Sequence, residues 1–499
     1  MKANTSDQTT RFLRYLLLLV AVCFLAAYLI LALLRIRYPF ELEWMEGACV
    51  DHVLRVLSGE KLYVSPSLEF VPFMYTPFYF YLSAAISKII GAGFFSLRLV
   101  SFVSSLGILF LILLFVKRET GSRFWGIVSS SLFAATFRAS GAWFDIARAD
   151  SLFLFLILAG LYLIRFRDSS RSYLIAGLLF SLSFLTKQTA LIISLPMMLY
   201  CVLSNRRRSL YFMGTVALII AASTYTLNYI HDGWYAYYVS ELPRGKPLVG
   251  SIFISFWTKD IVATLPIAFI LSILYLFVRS KEPRRKDRRF CLLMLIGMLG
   301  ATWLTRLRLG SYDNVLMPAY AALSILFGLG AHEVFKRIQS GTMNRRRLVE
   351  VFACAACIIQ FLILIYSPQR QVPGKEDMQA GRVLIATMAQ IPGEVLMPYH
   401  SFLPTLAGKR SHAHHQAISD IMVGDDGPIK DKLYGEITQA IGKQRFNALI
   451  FDSPWFPELT EKYYKADRML FDHPDVFWTV TGMRTNPQVI YVPRTKENN

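Results

Sequence analysis

The residues best suited to chemistry lie just after the first apolar run. Glu41, Glu43 and Glu46 fall within six residues, and Tyr63, Glu69 and a Tyr75-Thr76-Pro77 turn follow. Glu43 and Glu46 stand three apart, so on one helical turn their carboxylates share a face. Such a pair can divide labour: one carboxyl, pushed to a higher pKa, takes a proton while the other orients a partner or a metal. The plain alternative is a solvated loop helix. Asp145, Arg148 and Asp150 form a second group where an apolar run ends. Ionisable residues at membrane level are costly and so are functional candidates, Asp150 foremost; a structural Asp145–Arg148 pair is the alternative. Lys187 sits beside Gln188 between two apolar runs, and Arg306 and Arg308 precede Gly310-Ser311-Tyr312-Asp313-Asn314. Arginine suits bidentate phosphate binding and lysine supplies a point charge; snorkelling to lipid phosphates is the competing reading.

His231, in His231-Asp232-Gly233-Trp234-Tyr235, is a possible ligand for a divalent metal, although a lone histidine beside an aspartate more often bonds within its loop. His412, His414 and His415, with His400 nearby, lack the acid or cysteine spacing of a familiar metal site. A Walker loop and a dinucleotide fingerprint are missing, which disfavours an enzyme using ATP or a nucleotide sugar.

These residues need elements to hold them. With 54% hydrophobic residues in 499, the chain is a polytopic α-helical membrane protein. The net charge of +19 does not signal nucleic acid, because the basic residues sit in short clusters between apolar runs. Spans are expected near Tyr15–Leu34, Leu97–Val116, Phe124–Trp143, Leu152–Ile164, Tyr173–Leu185, Thr189–Leu203, Leu210–Ile230, Ile261–Val278, Phe290–Thr305, Val315–Ala331 and Leu348–Tyr366. That makes about eleven transmembrane helices. Tyr15–Leu34 is expected to be retained, since no small-residue cleavage site follows it.

Under this assignment Lys117-Arg118, Arg165 to Arg171, Arg206-Arg207-Arg208, the run Arg279 to Arg289 and Arg345-Arg346-Arg347 share one side with Arg11 and Arg14. The positive-inside rule makes that side cytoplasmic and the acidic loop extracytoplasmic. Phe78–Ile90 is apolar, yet counting it as a span would flip every later cluster. It is therefore expected as an interfacial helix within the first outer loop, residues 37–96. Two short spans, Leu152–Ile164 and Tyr173–Leu185, meet Asp150 and Lys187 and imply a water-filled cavity. Residues 1–366 read as the membrane domain. Residues 367–499 read as a small extracytoplasmic α/β domain, from alternating apolar runs and a helical stretch near Ile429–Gln444. Five cysteines lie in apolar segments and Cys49 in the first loop, so no disulfide framework is expected.

Several short elements then fall in a telling order: Met45-Glu46-Gly47-Ala48, Ser58-Gly59-Glu60-Lys61-Leu62-Tyr63, Thr76-Pro77-Phe78-Tyr79, Arg98-Leu99, Arg148-Ala149-Asp150, Phe184-Leu185-Thr186-Lys187 and Gly233-Trp234-Tyr235. Over roughly Tyr15 to Ala331 the chain resembles the GT-C-fold glycosyltransferases. The likeness is to the branch of the protein O-mannosyltransferases, the lipid A aminoarabinose transferases and the galacturonosyl transferases of lipopolysaccharide. It departs from their usual acidic pair in carrying Met45 at the first position; Glu46 matches the second, and Glu43 could take the vacant role.

The resemblance implies an inverting transfer of a sugar from a polyprenyl-phosphate carrier to a lipid, glycan or protein hydroxyl. The setting would be the outer face of a bacterial cytoplasmic membrane, with the N-terminus inside. In that picture Glu46 or Glu43 is the base and Asp150 orients the acceptor or a divalent metal. Lys187, Arg306, Arg308 and Arg148 hold the donor phosphate, and Tyr63, Tyr75, Trp234, Tyr235 and Asn314 contact substrate. A transporter or flippase of a lipid-linked sugar is the alternative; it would show inverted repeats with matching broken helices.

Overall fold

Each expected span overlaps a helix, although Phe124–Trp143 is helical only in its first part and Ile261–Val278 crosses a break. The computed structural model describes residues 2–277, 285–338, 343–423 and 427–495. Most of the Arg279–Arg289 run and the Arg345-Arg346-Arg347 side chains lie outside the described residues. The first nine helices are α1 (Lys2–Arg35), α2 (Glu46–Leu57), α3 (Phe78–Ile90), α4 (Phe94–Thr120), α5 (Arg123–Ala135), α6 (Asp150–Phe166), α7 (Ser170–Phe184), α8 (Ala190–Ser204) and α9 (Arg206–Ile230). Helices Pro266–Phe277, Arg285–Arg306, Met317–Ile338 and Met343–Ile363 complete the bundle. Among the described residues, five helices are long and apolar enough to cross a membrane, or six if one bent pair counts as a span. The expectation of about eleven complete crossings is not carried by length alone, because α5 to α8 run only 13 to 17 residues and a full crossing takes about 20.

Local chemistry explains where these helices begin. Ser122, Ser169 and Asn205 cap α5, α7 and α9 by accepting from the backbone N–H of Trp125, Ser172 and Arg208. Each satisfies a donor that the helix leaves free. Gly121, at φ 73°, closes α4 in the left-handed conformation.

Two departures from the expected spans have identifiable causes. The run Phe124–Trp143 is helical only to Ala135, because Gly141 and Ala142 take φ of 71° and 53°. That turns Thr136 to Ala149 into a loop carrying Asp145 and Arg148. A Cβ on Gly141 would lie 2.4 Å from the Tyr312 ring, so the loop also needs glycine's lack of bulk. The second departure is a 93° bend between Ile252–Ala263 and Pro266–Phe277. Proline cannot continue the ladder. The Gln360 side chain accepts from Ile267 and Ala268 N–H and donates to the Thr264 carbonyl, at 3.0–3.1 Å. A broken helix at membrane depth requires such partners.

Met317–Ile338 is the centre of the bundle and packs on α4, α5, Pro266–Phe277, Arg285–Arg306 and Met343–Ile363; nearly all of it is buried. The C-terminal segment folds as a mixed four-stranded sheet with flanking helices. Strands β1 (Val395–Leu396), β2 (Ala448–Phe451), β3 (Tyr464–Met469) and β4 (Val489–Pro493) lie in the order β1-β2-β4-β3. Only β1 and β2 are parallel, and a register shift lies between Ala466 and Arg468.

This segment closes onto the first loop through buried polar contacts. His400 bridges Glu41 and, at 2.9 Å, Asp452. The two carboxylates raise the His400 imidazole to about 10 and hold it charged, although burial alone would lower it. His414 Nε2 meets the carbonyls of Trp44 and Tyr399, and its ring lies 4.9 Å from the Trp44 ring. Arg445 binds Glu69 and Glu394 together.

Candidate active site

The first loop is built around one buried arginine. Arg98, near the start of α4, donates to both Glu46 oxygens at 2.9 and 2.6 Å and to the carbonyls of Arg35, Tyr38 and Phe40. Those five contacts match the five N–H groups of a guanidinium. Glu46 is equally filled: it also accepts from Ala147 N–H at 2.6 Å and Leu42 N–H at 2.7 Å. Arg98 and these donors hold its carboxyl below the usual carboxylate range despite full burial. A carboxylate so occupied has no lone pair free for a substrate proton. The structure therefore gives Glu46 the place of a scaffold and not that of the expected base.

Glu43 is the opposite case. It is fully buried; one oxygen accepts from Met45 N–H at 3.2 Å and faces Arg148 at 3.4 Å, while the other has no hydrogen-bond partner. Burial pushes its carboxyl up to about 8, against the pull of Arg148 and with a further rise from Glu46 and Glu41. The alternative Asp145–Arg148 pair does not form. Asp145 instead faces Arg35 at 3.3 Å, both fully buried. Arg148 spans Glu43 and the Tyr75 hydroxyl, 2.8 Å away, and lies over the Tyr75 and Trp143 rings.

Asp150 opens α6 with every strong partner taken. Lys187 lies 2.5 Å from one oxygen, Asn314 donates to the same oxygen at 2.9 Å, and Trp143 Nε1 donates to the other at 3.0 Å. Asp150, Lys187, Asn314 and Thr302 line a cleft of only about 10 Å³, room for one water at most.

Other expected contacts are placed elsewhere. Arg306 is held between Asp260 and Asp313, each at 3.0 Å, so its guanidinium is committed to carboxylates and not to a phosphate. Arg308 donates to the carbonyls of Lys246 and Arg244. Tyr63 is buried, gives its hydroxyl to the Tyr75 carbonyl at 2.6 Å, and packs on the rings of His231, Tyr235 and Tyr238. Its ring and that of Tyr235 are enclosed in the protein, while Trp234 stays half-buried beside Tyr237. His231 touches the Leu227 carbonyl. Among the described residues no group of three or more His, Cys, Asp or Glu is arranged to hold a metal, so His231 lacks the companions that a metal ligand requires.

Two contributions were not read from the sequence. His52 lies between the Phe73 and Phe80 rings, contacts the Ala48 carbonyl through Nδ1 and accepts from Phe73 N–H through Nε2. It pins α2 to the loop as a neutral ring, its pKa lowered to about 4 by burial. A lone histidine on a helix carries no sequence signal for this. The second contribution comes from the C-terminal segment: Thr481 pairs with Glu43 as an isolated parallel bridge, and Gly482 presses on the Glu43 side chain. Gly482 has φ 75°, and a Cβ there would lie 2.7 Å from Glu43 Cγ. Gly482→Ala is expected to cost about 1–3 kcal/mol through backbone strain and to lower turnover by shifting Glu43. Melting temperature and kcat of the purified variant check this; wild-type values for both would refute it.

Beside the Tyr75-Thr76-Pro77 turn lies an apolar groove of about 460 Å³, lined by Pro77, Phe78, Tyr81, Leu185, Leu218 and Ala222 among others. The Thr76 hydroxyl and Phe78 N–H fix this turn to the carbonyls of Phe184 and Leu185 at the end of α7.

Residues 74–226 match the family model of dolichyl-phosphate-mannose-protein mannosyltransferases. In fold, the whole chain is similar to ArnT from Cupriavidus metallidurans. For its complex with undecaprenyl phosphate the TM-score is 0.57 at 12% identity, covering 94% of this chain and 97% of that one. For its apo state the TM-score is 0.58 at the same identity and coverage. The Archaeoglobus fulgidus oligosaccharyltransferase, solved with zinc and sulfate, gives 0.51 at 12% identity, over 86% of this chain and 67% of that one. No curated protein matches the sequence.

Proposed function

We propose, on the premise that the chain has the membrane-embedded GT-C fold, that it is an inverting glycosyltransferase taking its sugar from a polyprenyl phosphate. The acceptor is a hydroxyl at the outer membrane face, in envelope glycan or glycoprotein assembly. The observation that carries this is Glu43: a buried carboxyl with one oxygen unpartnered and a raised pKa, linked through Arg148 and Tyr75 to the turn whose Pro77 lines an apolar groove. The resemblance to ArnT, solved with undecaprenyl phosphate, supports the donor class.

The geometry supports the following sequence of events. The polyprenyl tail lies in the groove beside Pro77 and Phe78, which brings its phosphate toward Tyr75 and Arg148. Arg148 transfers its charge from Glu43 to the phosphate, so Glu43 gains basicity as the donor arrives. The acceptor hydroxyl gives its proton to Glu43 while its oxygen forms the new bond to the anomeric carbon. The bond from that carbon to the phosphate oxygen breaks on the opposite face, and the configuration inverts. Arg148 and Lys187 stabilise the charge on the departing polyprenyl phosphate. Asp150, locked by Lys187, Asn314 and Trp143, positions Lys187.

The test is turnover. Purified protein in detergent, given a panel of polyprenyl-phosphate sugars and an envelope extract, should release free polyprenyl phosphate. Absence of release from every donor would overturn the reading and favour transport of the lipid-linked sugar.

A further inference from the structure

The connection between β3 and β4 leaves the sheet and reaches the candidate base. It runs from Leu470 to Gln488, and Leu470 N–H closes its foot on the Gln488 carbonyl at 2.7 Å. A connection this long without a helix or strand of its own is uncommon and usually functional. Within it, Thr479 to Thr485 form a small closed hairpin. Thr479 N–H donates to the Thr485 carbonyl at 3.1 Å, the Thr479 hydroxyl donates to the Met483 carbonyl at 3.0 Å, and Thr485 N–H donates to that hydroxyl at 3.1 Å. The stem beneath is pinned separately: Asn486 Nδ2 donates to the carbonyls of Pro474 and Val476, and Phe477 N–H donates to Asp377.

The tip of this hairpin covers Glu43. Oε2 is taken by Met45 N–H and Arg148, while Oε1 is the unpartnered oxygen. Gly482 stands against Oε1; a Cβ there would lie 2.9 Å from it. Glu43 has no exposure to solvent, so a hydroxyl cannot give it a proton until something moves. Arg148 and Tyr75 close the side of Oε2, where the donor phosphate arrives. On the side of the free oxygen the wall is the hairpin.

We propose that the hairpin Thr479–Thr485 is a hinged cover, latched by Thr481, which lifts to admit the acceptor to Glu43; this rests on the reading of Glu43 as the base. Its hold on the neighbouring loops is light. Val480 and Thr481 N–H share one acceptor, the Leu42 carbonyl, at 3.0 and 3.1 Å, and the Thr481 hydroxyl donates to the Gly141 carbonyl. On the outer side Met483 and Arg484 are exposed, with Arg484 over the Trp478 ring, 5.1 Å from its centre. Solvent therefore lies where the tip would swing. The rest of the segment is docked by charged contacts, His400 between Glu41 and Asp452 and Arg445 on Glu69 and Glu394. The cover can move while these hold, as a local opening of low stability.

The test reads access to Glu43 without requiring turnover. Full-length protein in detergent is treated at mildly acidic pH with dicyclohexylcarbodiimide, which adds to protonated carboxyls, and the adducts are located by tandem mass spectrometry. Burial keeps Glu43 protonated there; Asp51, also raised by burial, to about 7, is bonded to Ser401 and serves as the reference. Thr481→Val keeps the shape and removes the latch. Its Glu43 labelling relative to Asp51 should rise about five-fold, the worth of one hydrogen bond. The apparent KM for an envelope extract as acceptor should fall by a similar factor with donor KM unchanged, because a larger open fraction raises apparent affinity. A merely structural role would raise KM or lower kcat instead. Equal labelling in variant and wild type, or a rise matched at Asp51, would overturn the proposal. Labelling that rises while no polyprenyl-phosphate sugar is turned over would support the moving cover and overturn only the reading of Glu43 as base. Should the variant fail to fold, hydrogen exchange of the wild type decides. Residues 479–485 should exchange together and well before β4; exchange as slow as that of β4 would overturn the proposal too.

Discussion

Glu43→Gln is expected to lower kcat by about three orders of magnitude while the melting temperature stays at or above that of wild type. The size follows from the general-base role, which is worth roughly 10²- to 10⁴-fold when the proton acceptor is removed. The unaffected stability follows from the surroundings. Glu43 is fully buried, one of its oxygens is unpartnered, and its proton is held up to about 8. A neutral amide therefore sits there at no greater cost than the acid. KM for the donor should change little, since Arg148 keeps its Tyr75 hydroxyl contact. A variant with wild-type turnover would remove Glu43 from the reaction.

The pH dependence of the wild type follows from the same residue. A base acts in its ionised form, so kcat/KM should rise with pH through a midpoint near 8, where burial places the Glu43 carboxyl. Removing the neighbouring charge in Arg148→Gln should move that midpoint upward. The stability effect has a definite sign. An unfolded glutamate releases its proton near 4.3, whereas native Glu43 holds it to about 8. Between those values the native state binds more protons, so the Glu43 contribution to stability falls as pH rises and levels off above about 8.

The legible parts of this fold are those that local pattern dictates. Apolar runs placed the helices. The segment Phe78–Ile90, expected at the interface, is helical, with Tyr79 and Phe80 buried and Tyr81 and Ile89 exposed. What the sequence hid is partner choice. Three acids within six residues look alike in a string, yet Glu41 goes to His400, Glu46 to Arg98, and Glu43 keeps a free oxygen. Those outcomes depend on residues 52 to 359 positions away, which no spacing rule reaches. Arg306 misled for a related reason. It is a cation outside the basic clusters, but Asp260, 46 residues earlier, holds it. Gly482 could have been suspected only as a glycine in a turn; that its missing side chain makes room for Glu43 is a tertiary fact.

Glu46→Gln should separate scaffold from catalyst, because its main loss is stability. The amide keeps the shape but leaves Arg98 with an uncompensated charge at zero exposure. Breaking a buried pair in this way costs about 3–5 kcal/mol, read as a large fall in melting temperature in detergent. Turnover should fall in proportion to the folded fraction, and the pH midpoint should move downward, opposite to Arg148→Gln, because the Glu46 charge helps to raise the Glu43 carboxyl. The decisive comparison is with Arg98→Met and with the two changes together. Each single variant strands one charge in the core, while the double variant strands none. The double should therefore be more stable than the sum of the singles predicts, by an interaction of about 0.5–3 kcal/mol. Strict additivity would mean that Arg98 and Glu46 do not depend on each other. The loop would then owe its form to the carbonyls of Tyr38 and Phe40 and to Ala147 N–H, which grip the two side chains separately. A positive coupling, together with a stable and inactive Glu43→Gln, would place the two acids three residues apart in different roles: one holding the loop, the other moving the proton.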